Sequence, residues 1–169
     1  MGVDRHSTGA GRLSRGGPWA KVGRFGYGTI EQLAYSPDGV RVAVVGRGGV
    51  TIWDTEKETV EQVLEGHTEL VGSVAWSPDG TQLASGSLDR TVRVWSAEDG
   101  RLVHTLTGHT ESVVSVAWWP FGCHLASGSG DGTVRRRGTG ARMTRPGGAG
   151  SQAPRRLWSL LKYWRATEA

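Results

Sequence analysis

Residues 66–95 read GHTELVGSVAWSPDGTQLASGSLDRTVRVW, and this stretch decides the fold. It opens on Gly66-His67 and runs through the apolar residues Val71, Val74 and Trp76. It turns at Ser77-Pro78-Asp79-Gly80 and closes on Thr91-Val92-Arg93-Val94-Trp95. Displaced by 42 residues the pattern returns as Gly108-His109, Trp119-Pro120-Phe121-Gly122, Leu125 to Asp131 and Thr133-Val134-Arg135. Displaced back by 41 residues, Ser36-Pro37-Asp38-Gly39 falls on Ser77-Pro78-Asp79-Gly80. A period near 42 with a Gly-His start and a terminal Trp marks a stack of four-stranded β units.

Outward from this stretch, the apolar pattern predicts blade 1 at about 29–65, blade 2 at about 71–107 and a partial blade 3 at about 113–135. The strands of blade 1 are expected near 29–35, 41–46, 50–54 and 59–65. Those of blade 2 fall near 71–77, 82–88, 91–96 and 102–107, and those of blade 3 near 113–119, 124–129 and 132–135. In each Ser-Pro-Asp-Gly turn proline presets φ and glycine takes the left-handed position. Asp99-Gly100 reads as the hairpin between the last two strands of blade 2. The fold class is therefore all-β.

These repeats resemble the WD-repeat β-propeller family over about residues 18–135, close to 2.7 repeats. The resemblance implies a partial propeller of antiparallel blades, apparently the first part of a longer ring. It also implies a structural network in which a buried His, Ser and Asp tie an inter-blade loop to the third-strand Trp. In blade 2 these are His67, Ser85, Asp89 and Trp95. In blade 3 the match reaches His109, Ser127 and Asp131 but fails at Arg137, where an aromatic is expected. Blade 1 departs at both ends of the pair: Gly26 takes the register of His67 and Arg47 that of Asp89, while Trp53-Asp54 is kept.

Ser, His and Asp together also invite a nucleophilic-triad reading. A catalytic set is normally built once, whereas this one recurs with the period of the fold, so the structural reading is preferred. No residue is assigned to catalysis, and the chain reads as a non-enzyme. Cofactor sites are not expected: Gly23, Gly26 and Gly28 lack the spacing of a dinucleotide or phosphate loop. The five histidines show no Cys/His pairing at metal-ligand spacing.

The net charge of +4 conceals an asymmetry. Residues 29–135 hold 7 Lys/Arg and 14 Asp/Glu, a net of −7, whereas residues 136–169 hold 8 basic and 1 acidic, a net of +7. A nucleic-acid role therefore cannot rest on the repeats. It could rest only on the basic tail, as could attachment to a membrane. The single cysteine, Cys123, excludes an internal disulfide framework and fits a reducing compartment. With no signal-like leader and no long apolar run, the expected location is cytoplasmic.

The ends read differently. Residues 1–17 have a disordered composition, and 18–22 could supply a lone outer strand. Residues 136–154 are rich in Gly and Arg without alternation, the pattern of a disordered segment. The abrupt change at Arg136 fits a shift of reading frame or splicing. It fits equally an insertion before Arg156-Leu157-Trp158-Ser159, which resembles Arg93-Val94-Trp95-Ser96. Leu157, Leu160, Leu161 and Trp164 lie at helical spacing, so 155–166 is expected as a short basic amphipathic helix.

The function expected from the resemblance is a non-catalytic scaffold for other proteins. Partners would meet the blade rim at Thr29, Glu31 and Gly46 in blade 1. The matching positions are Leu70, Gly72 and Leu88 in blade 2, and Ser112, Val114 and Gly130 in blade 3. Open blade faces also predict self-association. The rival enzyme reading makes these repeats the regulatory part of a larger enzyme whose catalytic domain lies elsewhere.

Overall fold

The structure, a computed structural model, describes residues 28–139. Eleven strands form three antiparallel sheets. Blade 1 contains β1 (Ile30–Tyr35), β2 (Arg41–Gly46), β3 (Gly49–Asp54) and β4 (Thr59–Leu64). Blade 2 contains β5 (Val71–Trp76), β6 (Gln82–Ser87), β7 (Val92–Ser96) and β8 (Leu102–Leu106). Blade 3 contains β9 (Val113–Trp118), β10 (His124–Ser129) and β11 (Val134–Gly138), and among the described residues β11 is its outermost strand. Each sheet is a simple meander, because its strands pair in chain order.

The turns follow the sequence chemistry. Gly39, Gly80 and Gly122 hold φ of 76°, 71° and 76°. Their amides reach back to Ser36, Ser77 and Trp119 carbonyls at 2.9, 2.9 and 2.8 Å. Only a residue without a Cβ takes that left-handed conformation at little cost. In blades 1 and 2 the serine hydroxyl also donates to the turn aspartate, Ser36 to Asp38 and Ser77 to Asp79.

The core lies between blades rather than within them. Val45, Val50, Ile52 and Leu64 of blade 1 pack with Val71, Val74, Leu83 and Trp95 of blade 2. Ala84, Val92 and Val94 of blade 2 pack with Val113, Val116 and Leu125 of blade 3. Polar links reinforce this stacking. Trp76 Nε1 donates to the Ala34 carbonyl at 2.9 Å, and Trp118 Nε1 repeats the bond to Ala75 at 3.1 Å. Arg41 Nη1 donates to the Ala97 carbonyl at 2.6 Å while its guanidinium covers the Trp76 ring at 4.9 Å. Each blade is completed by its neighbour, as in other repeat stacks.

Blade 3 shows what the neighbour supplies. Val92 is 2% exposed against blade 3, whereas Val134, in the same register, is 79% exposed. Arg136 holds the register of Ile52 and Val94, both buried between blades. β11 nevertheless continues to Gly138, beyond the end expected at residue 135, because Leu125 pairs Arg137 and His124 pairs Gly138. The expected leader at 1–17, the outer strand at 18–22 and the helix at 155–166 lie outside the described residues, as does the segment beyond 139.

Candidate functional site

In blade 2, four elements bring the predicted network together. His67 stands in the loop before β5, Ser85 on β6, Asp89 in the β6–β7 turn and Trp95 on β7. His67 Nδ1 lies 2.6 Å from Asp89 Oδ2 and Nε2 lies 2.8 Å from Ser85 Oγ. Asp89 accepts, so Nδ1 carries the proton. Trp95 Nε1 donates to Ser85 Oγ at 2.8 Å, leaving the serine hydroxyl proton for His67 Nε2. The chain of donors thus runs from indole to hydroxyl to imidazole, and Nδ1–H closes it on the carboxylate. Asp89 also accepts from the hydroxyl of Thr91 at 2.6 Å and from the Thr91 amide at 2.9 Å. Gly66 stands at φ 143°, and a side chain there would collide with the Arg93 guanidinium.

The electrostatics keep the imidazole neutral. Burial pushes the His67 pKa down, and the opposing pull of Asp89 does not restore it. The His67 side chain is 1% exposed. Burial pushes the Asp89 carboxyl up, but bonds from Thr91 and His67 outweigh it and hold the group below its ordinary value.

Blade 3 repeats the geometry up to the point where the sequence departs. His109 Nδ1 lies 2.9 Å from Asp131 Oδ2, and Nε2 lies 2.9 Å from Ser127 Oγ. The Thr133 hydroxyl at 2.6 Å, more than any other group, holds the Asp131 carboxyl well below the carboxylate range. Arg137 occupies the indole register and supplies no ring. A pocket of about 200 Å³ opens beside it, lined by Val92, Leu106, His109, Leu125 and Ser127 together with Arg135 to Arg137.

The Ser–His–Asp order of blade 2 matches that of a nucleophile, base and orienting acid. Yet Ser85 is fully buried and its oxygen is engaged by both His67 and Trp95. No substrate carbonyl reaches that oxygen in this structure. Among the described residues no three His, Cys, Asp or Glu side chains gather as a metal site. None of the described helices or strands is a helix long and apolar enough to cross a membrane.

The rim residues meet in pairs. The Leu88 amide donates to the Leu70 carbonyl, and the Gly130 amide to the Ser112 carbonyl, both at 2.9 Å. Leu88 and Val114 are 42% and 59% exposed. Gly72 is half-buried, while Thr29 and Glu31 are exposed and hydrogen-bonded at 3.2 Å. Gly46 is a correction: it is buried, with the Thr29 carbonyl so close that no side chain fits, and it offers no surface. An open groove of about 510 Å³ runs between blades 1 and 2 and includes Arg47, Glu65, Glu69, Leu70 and Leu88. The inter-blade bonds of Trp76 and Trp118 escaped the sequence reading, although their 42-residue spacing was a usable signal.

This architecture, stacked antiparallel blades pinned by a repeated His–Asp–Ser–Trp network, defines a partial β-propeller. The chain is a WD-repeat protein: residues 58–96 and 100–135 match the family described as WD domain, G-beta repeat. It is 41% identical over 64 residues to the intraflagellar transport protein 122 homolog of Xenopus tropicalis, covering 38% of this chain. It is 40% identical over 70 residues to a chromatin assembly factor 1 subunit FAS2 homolog of Oryza sativa subsp. japonica, covering 41% of this chain. The matched stretches span 5% and 14% of those two proteins. Among solved structures, U3-55K superposes with a TM-score of 0.66 at 26% identity, over 69% of this chain and 38% of that one.

Proposed function

We propose that the chain is a non-catalytic scaffold that holds protein partners on its blade rim. The observation that carries this is a division of labour within one repeat. Ser85, His67 and Asp89 are consumed by the buried network, while Leu70 and Leu88 stand one hydrogen bond apart beside an open groove. Apolar side chains surrounded by charge, here Arg47, Glu65 and Glu69, suit recognition of another protein better than binding of a small molecule. The WD-repeat relatives and the shared fold support the same reading. The lone buried Cys123 supports a reducing, cytoplasmic setting.

Capture of interacting proteins by the full chain and by a Leu70→Asp/Leu88→Asp variant tests this. The variant is expected to lose its specific partners while keeping its melting temperature, since both side chains lie outside the inter-blade core. Undiminished capture by a folded variant would remove the rim from the account.

A further inference from the structure

We infer that the outer edge of β11 is a docking site for an extended acidic peptide, which would enter as the fourth strand of blade 3. This rests on the scaffold reading but uses a different surface. Three observations converge on it. The first is topology: blades 1 and 2 end in the fourth strands β4 and β8, whereas β11 is the last strand of its sheet among the described residues. An unpaired strand edge presents a row of backbone donors and acceptors to any strand of suitable register.

The second is charge. Arg135, Arg136 and Arg137 follow one another on β11, and all are exposed. Residues 140–169 of this chain carry 6 Lys/Arg and 1 Asp/Glu, so the chain's own tail is a poor electrostatic match for that edge. An acidic strand is the complementary one, because opposite charges directly across a sheet attract.

The third is register, and it specifies the peptide. In blade 2, Trp95 faces Leu102, Val94 faces His104, Arg93 faces Thr105 and Val92 faces Leu106, with a bulge after the first pair. In blade 1, Val50 likewise faces Leu64. Carried onto β11, the same pairing sets partner residues opposite Arg137, Arg136, Arg135 and Val134 in turn. The fitting sequence is an acid, any residue, two acids and then leucine. The leucine would lie across from Val134, the exposed counterpart of Val50 and Val92.

The probe is a fluorescein-labelled synthetic peptide with that pattern, flanked by threonine and valine, titrated with the full chain and read by anisotropy. The expected result is saturable binding that weakens at least tenfold between low and moderate salt, as multiple ion pairs require. Binding should also be lost when lysine replaces the three acids. An R136E/R137E variant, its fold checked by circular dichroism, is expected to reverse the preference and take the lysine peptide. The Leu70→Asp/Leu88→Asp variant should bind the acidic peptide as the parent does, which separates this site from the rim. No saturable binding would overturn the inference, whether the edge is covered by the tail, by a second copy or by nothing. Equal binding of both peptides, or an unchanged preference in the folded charge-reversed variant, would overturn it as well.

Discussion

Trp95 donates its indole hydrogen to Ser85 at 2.8 Å, and 42 residues later Ser127 faces Arg137 in the register of that indole. The two blades are therefore a natural comparison of the same network with and without its aromatic member. Blade 2 closes its core over the ring, whereas blade 3 has a pocket of about 200 Å³ at that place.

Arg137→Trp is expected to stabilise the chain. The new ring would fill the pocket and give Ser127 the donor that Ser85 already has. Full burial of a large apolar side chain contributes about 1.5–3 kcal/mol. Urea unfolding should show a midpoint shift in the stabilising direction, and an unchanged or lower midpoint would mean that the pocket does not lie in the indole register.

Asp89→Ala should destabilise blade 2 by about 1–3 kcal/mol, because it strands the Nδ1 proton of His67 in a buried site. Arg47→Ala, in the corresponding turn of blade 1, should change stability by less than about 0.5 kcal/mol, as an exposed substitution without a network partner does. Paired urea titrations compare the two. Equal losses would show that blade 1 carries an equivalent network through other residues.

Stability should fall with acid, in two stages with the same sign. The His67 pKa is lowered in the fold, so its contribution is complete above the ordinary histidine value near 6.5 and declines as the pH drops below it. The carboxyls of Asp89 and Asp131 are also lowered. Their contributions are complete above the ordinary aspartate value near 3.8 and are lost as pH falls towards the folded values. Melting temperatures measured between pH 8 and pH 3 should decline from about pH 6.5 downwards and more steeply below about 4. In the His67→Phe variant the first stage should shrink.

Self-association is expected of the purified chain. Val134 and Tyr35 are 79% and 67% exposed on opposite terminal blades, where interior blades bury the matching side chains Val92 and Trp76. Light scattering across a dilution series should show concentration-dependent species. A monomer whose melt is independent of concentration would mean that residues outside 28–139 cover those faces.

Much of the fold was legible because the repeat writes the same physics twice. Strand ends agree with the sequence reading to within a residue or two through most of blades 1 and 2, since Pro-Asp-Gly turns fix them locally. The network was legible from His67, Ser85 and Asp89 recurring as His109, Ser127 and Asp131. β11 was harder: a run of three arginines reads as the end of a strand, yet pairing with β10 carries it on to Gly138. Sheet context decides strand formation more than the residue does. Gly46 was misplaced on the surface because the closeness of the Thr29 backbone is a tertiary contact with no local signature. The inter-blade bonds of Trp76 and Trp118 belong to the same class, linking positions a full repeat apart.

The central claim is that each Ser–His–Asp set is a locked structural chain. Nitrogen-15 NMR of the imidazole of His67 tests it most directly, because the two ring nitrogens report separately. The account predicts one tautomer, with the proton on Nδ1 held by Asp89 at 2.6 Å and Nε2 accepting from Ser85 at 2.8 Å. It also predicts that Asp89→Ala or Ser85→Ala abolishes that single state. A freely averaging pair of tautomers in the folded parent protein would contradict the network and with it the structural role assigned to these residues.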